Sequence, residues 1–189
     1  MQIDLGICVL RNFSEGDAPF LAKLANDRDV WINLRDRFPH PYELAHGEAF
    51  VSQAAAEDPP TNLAICVDNH AVGSVGLVLG KDVERVSAEI GYWLGKPYWG
   101  RGITSAALQA ATEWAIREFA LLRVFAVPFA ENIASIRVLE KAGFSREGRM
   151  KQSAIKDGKV RDQYLYAFYA ASQAESLRRH ANATATATA

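Results

Sequence analysis

The chain changes its hydrophobic period abruptly around residues 91–104, and that change limits the folds open to it. Residues 86–94 read as a strand that ends Gly91-Tyr92-Trp93-Leu94. Gly95, Gly100 and Gly102 interrupt the pattern. Residues 103–119 then read as the clearest helix of the chain, with Ile103, Ala107, Ala110 and Trp114 on one face. Another strand follows over 123–127. Strand, glycine turn, long helix and strand form one crossover unit. The remaining strands are joined by short turns, so the expected fold is mixed α/β, a mostly antiparallel twisted sheet flanked by helices on both sides.

The turn itself carries chemistry. A helix N-terminus presents unpaired N–H groups and partial positive charge, which suits a phosphate. Gly100 and Gly102 let the backbone approach a ligand with no Cβ in the way, and Arg101 adds a guanidinium beside them. Taken alone, a G-x-G turn is equally compatible with a plain strand-to-helix connection. It is not a Walker loop, because no Gly-Lys-Ser/Thr follows, and it lacks the third glycine of the dinucleotide fingerprint.

Elsewhere the chain reads in short elements. A first strand covers 7–11, Ser14 offers an N-cap, and Phe20, Leu21 and Leu24 make a helical stripe. Phe38-Pro39-His40-Pro41-Tyr42 is excluded from helix by its prolines. A helix follows over 44–56, strands over 64–67 and 72–79, a helix over 133–142 closed by Gly143, and a last strand over 160–169. The 189 residues fit one domain, taken as 1–171, with 172–189 expected to be a disordered tail. A net charge of −1 gives no field that would recruit nucleic acid or an anionic membrane. No apolar run approaches the ~20 residues of a membrane span, and no secretory leader is apparent, so a cytoplasmic protein is expected. Cys8 and Cys66 sit in apolar strands and read as buried thiols. His40 and His46 lack a third ligand at metal spacing, so no metal is expected.

A second segment, Asn132-Ile133-Ala134-Ser135-Ile136-Arg137-Val138-Leu139-Glu140-Lys141-Ala142-Gly143-Phe144, follows the next strand. Together the two segments resemble the GCN5-related N-acetyltransferase (GNAT) superfamily. The first looks like its acyl-CoA pyrophosphate loop, Q/R-x-x-G-x-G/A, and the second like its N-x-x-A-x-x-L-Y-x-K-x-G-F helix. Ala88 to Leu94 (A-E-I-G-Y-W-L) and Val138 to Phe144 (V-L-E-K-A-G-F) bring it closest to the RimJ/RimL-like branch, which acetylates protein N-termini. The resemblance spans roughly residues 5 to 170. It implies acetyl-CoA as co-substrate, held by Trp93, Leu94, Trp99, Gly100, Arg101, Gly102, Ile103, Thr104, Ser105, Asn132, Ser135, Arg137 and Lys141. It also places the early loops on the acceptor side, where Trp31, Phe38 and Tyr42 either hold the acceptor or belong to the core. The chain departs from the wider pattern at four positions. Trp99 replaces Gln or Arg, Thr104 replaces Gly or Ala, Ser135 replaces alanine, and Leu139 replaces the tyrosine that protonates the departing thiolate.

Amine acetylation needs a proton acceptor, an oxyanion donor and help for the leaving thiolate. Glu89 lies on the strand face opposite Ala88 and Ile90, alongside Gly91 and Trp93, and is the candidate base. Its alternative is a strand glutamate paired with an arginine. Backbone N–H groups near Trp93 and Leu94 become available if the strand opens there, and Pro128, lacking an N–H, is expected to help the next strand part from it. Ser135 is the candidate hydroxyl for the thiolate, one helical turn from Leu139. Its alternative is a helix serine bonded back to a carbonyl. Neither cofactor segment contains a cysteine, so direct transfer in a ternary complex is expected. The expected partner is an amine, foremost a protein N-terminus of the ribosomal-protein type. A small amine such as a polyamine or aminoglycoside is the alternative, and a non-catalytic acyl-CoA-binding regulatory module is the rival of another class. A homodimer is left open.

Overall fold

A computed structural model describes residues 1–170, so the tail expected to be disordered lies outside the described residues. Eight strands form one sheet: β1 (Gln2–Asp4), β2 (Val9–Arg11), β3 (Asn62–Val67), β4 (His70–Leu79), β5 (Ser87–Leu94), β6 (Arg123–Ala126), β7 (Ser145–Lys156) and β8 (Lys159–Tyr169). Their spatial order is β1-β2-β3-β4-β5-β6-β8-β7. Among the described residues only β5 and β6 run parallel, joined by the crossover helix α4 (Ile103–Glu118). The other helices are α1 (Ala18–Ala25), α2 (Arg28–Trp31), α3 (Leu44–Ala55) and α5 (Ile133–Lys141).

Side-chain alternation divides the core into two layers. Leu10, Leu63, Ile65, Ala88 and Ile90 share one cluster with Ile103 and Leu108 of α4 and with Ile136 and Leu139 of α5. Ala64, Cys66 and Ala71 face the other way, against Leu21 of α1 and Val51 and Ala54 of α3. Each fully buried Leu or Ile contributes about 1.5–3 kcal/mol before entropy is subtracted. On β5, Ala88, Ile90, Tyr92 and Leu94 therefore face α4 and α5, while Glu89, Gly91 and Trp93 face the α1/α3 side.

The chain reversal from β2 into α1 rests on Asp17, which is 5% exposed. Its two oxygens accept from Arg11 at 2.7 and 2.6 Å, and one also accepts from the Ser14 N–H. Burial pushes the Asp17 carboxyl up, but the Arg11 and Ser14 bonds outweigh it and hold the group below its usual range.

Two strands were not legible in the sequence. β1 is three residues long, too short for a period to show, and the first expected strand is confined to Val9–Arg11. β7 is an edge strand with Arg146, Glu147, Arg149 and Lys151 exposed. Register shifts at Arg146/Gly148 and Met150/Ala154 break its alternation. With β8 it forms a long hairpin whose tip reaches back to α2.

Candidate active site

β5 and β6 part company halfway along. Their parallel register ends at Glu89↔Phe125, whereas β5 stays paired with β4 as far as Leu94. β6 follows β8 instead, through Ala126↔Tyr166, and the Pro128 carbonyl then accepts from the Tyr164 N–H at 3.0 Å. The gap thus opens before Pro128. The hairpin draws the strand away, and the missing proline N–H is not the starting point.

The β4–β5 ladder shows which groups face the gap. Gly80 donates to Ser87 and Gly95 donates to Val72, so Leu79/Ala88 and Gly73/Leu94 are the pairs between hydrogen bonds. By alternation, Tyr92 and Leu94 turn their N–H and C=O groups away from β4, toward the gap, and Trp93 turns its N–H toward β4. The Leu94 carbonyl accepts from the Trp99 indole at 2.6 Å, as that orientation requires. Of the two groups expected to serve, the Leu94 N–H faces the gap, together with that of Tyr92, and the Trp93 N–H does not. The Trp93 side chain stands on the acceptor face, 5.6 Å from Phe38 in an edge-on contact.

Beyond β5 the glycine turn has the predicted shape. Gly100 and Gly102 have φ of 74° and 80°, in the left-handed region that favours glycine, and a Cβ built on either meets nothing within 4 Å. Gly102 caps α4 without any side-chain bond, so the first N–H groups of the helix, from Ile103 to Ser105, have no side-chain cap. Ile103 itself is buried in the core and offers only its backbone, while Thr104 and Ser105 are partly exposed. The exposed Arg101 guanidinium lies 5.7 Å from the Tyr98 ring. This positively polarised cradle, open around both glycines, fits a pyrophosphate.

α5 completes that side. Asn132 accepts from the Ser135 N–H at 3.0 Å and so serves as an N-cap. Arg137 and Lys141 are exposed and make no ion pair among the described residues. The Ser135 hydroxyl does not bond back to its own helix. It lies 2.7 Å from the Tyr92 hydroxyl, which also reaches the Ser135 carbonyl at 3.2 Å. Leu139, one turn on, is fully buried in the core rather than facing the gap with Ser135. A tyrosine at position 139 would overpack that core.

A cleft of roughly 1000 Å³ runs from Ser135 through the gap to the α1/α3 side. Its end away from Ser135 is walled by Phe38, Tyr42 and Trp93, with Phe38 and Tyr42 ring centroids 4.8 Å apart. Burial pushes the Tyr42 phenol up. Glu89 also lines it and accepts from Arg35. Trp31 does not line the cleft. It stacks on His40 at 5.2 Å and carries the Lys156 ammonium 3.8 Å from its ring centre. Lys156 is 1% exposed and donates to Asp36 at 2.9 Å, and Arg28 pairs with Asp157 at 2.7 Å. The hairpin tip thereby clamps the loop 33–42. Among the described residues no group of three His, Cys, Asp or Glu is placed to hold a metal, and no helix is long and apolar enough to cross a membrane.

Sequence reasoning missed Arg35 and Tyr92. Arg35 gave no signal, since its partner lies 54 residues away. Tyr92 could have been found, because it shares the core-facing side of β5 with Ile90 and Leu94, and a buried phenol needs a partner for its hydroxyl.

The acetyltransferase (GNAT) domain profile matches residues 8–145. The uncharacterized N-acetyltransferase p20 of Bacillus licheniformis is 34% identical over 83% of this chain and 89% of its own length. The L-amino acid N-acetyltransferase AaaT of Escherichia coli K12 is 24% identical over 84% and 96%. The ribosomal-protein-serine acetyltransferase of the same bacterium is 34% identical over about half of each chain, 49% and 53%. Among solved structures, Mycobacterium smegmatis RimJ in complex with CoA-disulfide superposes with a TM-score of 0.76 at 26% identity, covering 86% of this chain and 82% of that one. With the glycine cradle, the parted strands and the domain match together, the chain belongs to the GNAT acetyltransferase family and is an acetyl-CoA-dependent N-acetyltransferase.

Proposed function

We propose that the acceptor is an α-amine, foremost the N-terminus of a polypeptide such as a ribosomal protein. The observation that carries this is the charge of the cleft. Arg35, Arg37 and Lys81 line it, against only Glu57 and Glu89. The Glu57 carboxylate is taken up by Thr61 and Asn62. The remaining carboxylate, Glu89, is shared with Arg35, so the cleft offers little negative charge to an incoming ammonium. A polyamine or aminoglycoside brings several cations and would meet Arg37 and Lys81, which make no ion pair among the described residues. An α-amine, with a pKa near ~8, is partly neutral already and needs only one modest base. One relative is named as a ribosomal-protein-serine acetyltransferase and another as an L-amino acid N-acetyltransferase, which supports this reading.

In this reading the cradle at Gly100 to Ser105 holds the pyrophosphate, with Arg101, Arg137 and Lys141 beside it, and the gap between β5 and β6 admits the pantetheine arm. The amine adds to the thioester carbonyl carbon, and Glu89 takes its proton directly or through water. The Leu94 and Tyr92 N–H groups meet the negative oxygen. The carbon–sulfur bond then breaks, and the Ser135 hydroxyl donates a hydrogen bond to the departing thiolate. Phe38 and Tyr42 hold the residue that bears the amine. Transfer is direct, since Cys8 and Cys66 lie outside the cleft and burial pushes the Cys66 thiol up to about 11.

The test is thiol release from acetyl-CoA with a panel of acceptors. Peptides with a free N-terminus should exceed N-blocked, lysine-containing peptides, spermidine and aminoglycosides by at least about tenfold in kcat/KM. A preference for spermidine or an aminoglycoside overturns the proposal.

A further inference from the structure

Ser135 poses a physical problem that its neighbour solves. A serine hydroxyl has one hydrogen and two acceptor sites. To assist a thiolate, that hydrogen must point at sulfur, but an isolated helix serine turns it back to a carbonyl of its own helix. Among the described residues, the only hydrogen-bond partner of Ser135 Oγ is the Tyr92 hydroxyl at 2.7 Å. Tyr92 reaches it from β5, across the gap, from the face that packs on α4 and α5. Burial pushes the Tyr92 phenol well above its usual range, and its bond to Ser135 offsets this only in part, so the phenol keeps its proton.

From this contact we infer that Tyr92 is a positioning residue for acetyl transfer: its hydroxyl donates to Ser135 Oγ and leaves the serine hydrogen free for the departing sulfur. The inference rests on the role given to Ser135 above. When the carbon–sulfur bond breaks, its electron pair stays on sulfur. The chain Tyr92 O–H···Oγ(Ser135)–H···S shares that charge by hydrogen bonding. No proton crosses from tyrosine, because a thiol with a pKa near ~8.5 cannot take one from a phenol held well above that. Water protonates the thiolate later. Two linked hydrogen bonds polarise each other, so the serine is a stronger donor with Tyr92 behind it than alone. The second contact, from the phenol to the Ser135 carbonyl at 3.2 Å, marks the competing arrangement, in which the serine hydrogen points at tyrosine and is withheld from sulfur. An approaching thiolate favours the first arrangement, because a bond to a charged acceptor is the stronger one.

The experiment is a double-mutant cycle on the full chain, read as kcat, KM and acetyl-CoA affinity by calorimetry. Ser135→Ala should lower kcat about 100-fold, the value of one charge-assisted hydrogen bond. Tyr92→Phe should lower kcat about tenfold, with acetyl-CoA affinity within about twofold of wild type. In the Ser135→Ala background, Tyr92→Phe should cost nothing further, because tyrosine acts through serine. A wild-type rate for Tyr92→Phe beside an impaired Ser135→Ala overturns the positioning role and leaves the serine step standing. A further loss of the same factor in the double mutant overturns it as well, since tyrosine then acts independently. A wild-type rate for Ser135→Ala removes the serine step and this inference with it. Should Tyr92→Phe fold poorly, 3-fluorotyrosine at position 92 keeps the shape and makes the phenol a stronger donor. It should hold or raise kcat, and a tenfold fall would overturn the inference.

Discussion

At the phosphate turn almost nothing depends on which side chains surround it. Gly100 and Gly102 supply left-handed φ values and open space, and the helix supplies its own N–H groups. The acceptor end of the same cleft is the reverse. Arg35 lies on a loop, Glu89 on β5, Asp36 on the loop again and Lys156 at the tip of a distant hairpin, and the wall exists only because these meet. The end proposed for the cofactor is thus specified locally by backbone, and the end proposed for the acceptor globally by side chains. Family members can keep the first while changing the second, which is how one fold serves many amines.

The difference predicts that damage to the two ends should look unlike. Gly102→Asp attacks the local end directly. It places a Cβ where φ is 80° and a negative charge against the pyrophosphate. Acetyl-CoA affinity should fall about 10³-fold, roughly 4 kcal/mol, with circular dichroism unchanged. Gly102→Ala carries the strain without the charge and should lose far less. Unchanged affinity in a folded Gly102→Asp protein would dismantle the cradle and, with it, the contrast between the two ends.

The same contrast explains what could be read beforehand. The crossover, the glycine turn and α5 were legible because each is written in a continuous stretch, by a change of period or by glycines at a helix start. Ser135 was found for the same reason. Tyr92 behind it was not, because the contact that singles it out is made with a partner 43 residues away. Trp31 was placed in the cleft on its residue type, and only the β7–β8 hairpin explains why it is instead the floor of a cation site. That hairpin was itself half hidden, since β7 is polar, bulged and at an edge. Leu139 misled for a related reason. Residues four apart on a helix share a face, but here that face crosses from the gap at Ser135 into the core one turn later.

Glu89→Gln probes the point where the two ends meet. The change keeps the shape and removes the proton acceptor, so kcat should fall about tenfold to thirtyfold with little change in acetyl-CoA KM. The deficit should shrink as pH rises toward the acceptor's own pKa near ~8, where the amine loses its proton unaided. A mutant whose pH–rate profile parallels wild type would assign the proton to water or another residue, and Glu89 would become only the anchor of Arg35. Arg35→Ala separates these roles further, because it frees Glu89 without removing it.

The smallest effect is the most discriminating. Lys156 sits 120 residues from Asp36 in sequence and holds the acceptor loop through it and through the Trp31 ring. Lys156→Met keeps the packed stem and removes the ammonium. The cation–π contact is worth about 0.5–2 kcal/mol, but burying the charge costs energy too, so the two largely cancel. Asp36 is 75% exposed and is rehydrated when its partner goes. Global stability should therefore change by less than about 1 kcal/mol, despite the burial of the residue replaced. The loop 33–42 loses its tether, however, and Arg35 and Phe38 travel with it. The acceptor KM should rise about threefold while acetyl-CoA affinity stays at the wild-type value. Steady-state kinetics against each substrate in turn, beside a thermal melt, reads both quantities. If the acetyl-CoA affinity falls while the acceptor KM rises, the hairpin supports both ends. It has the means to do so, because β8 is also the strand that draws β6 away from β5 and opens the gap. A selective effect would show that the tip of the hairpin serves the acceptor and its root serves the cofactor.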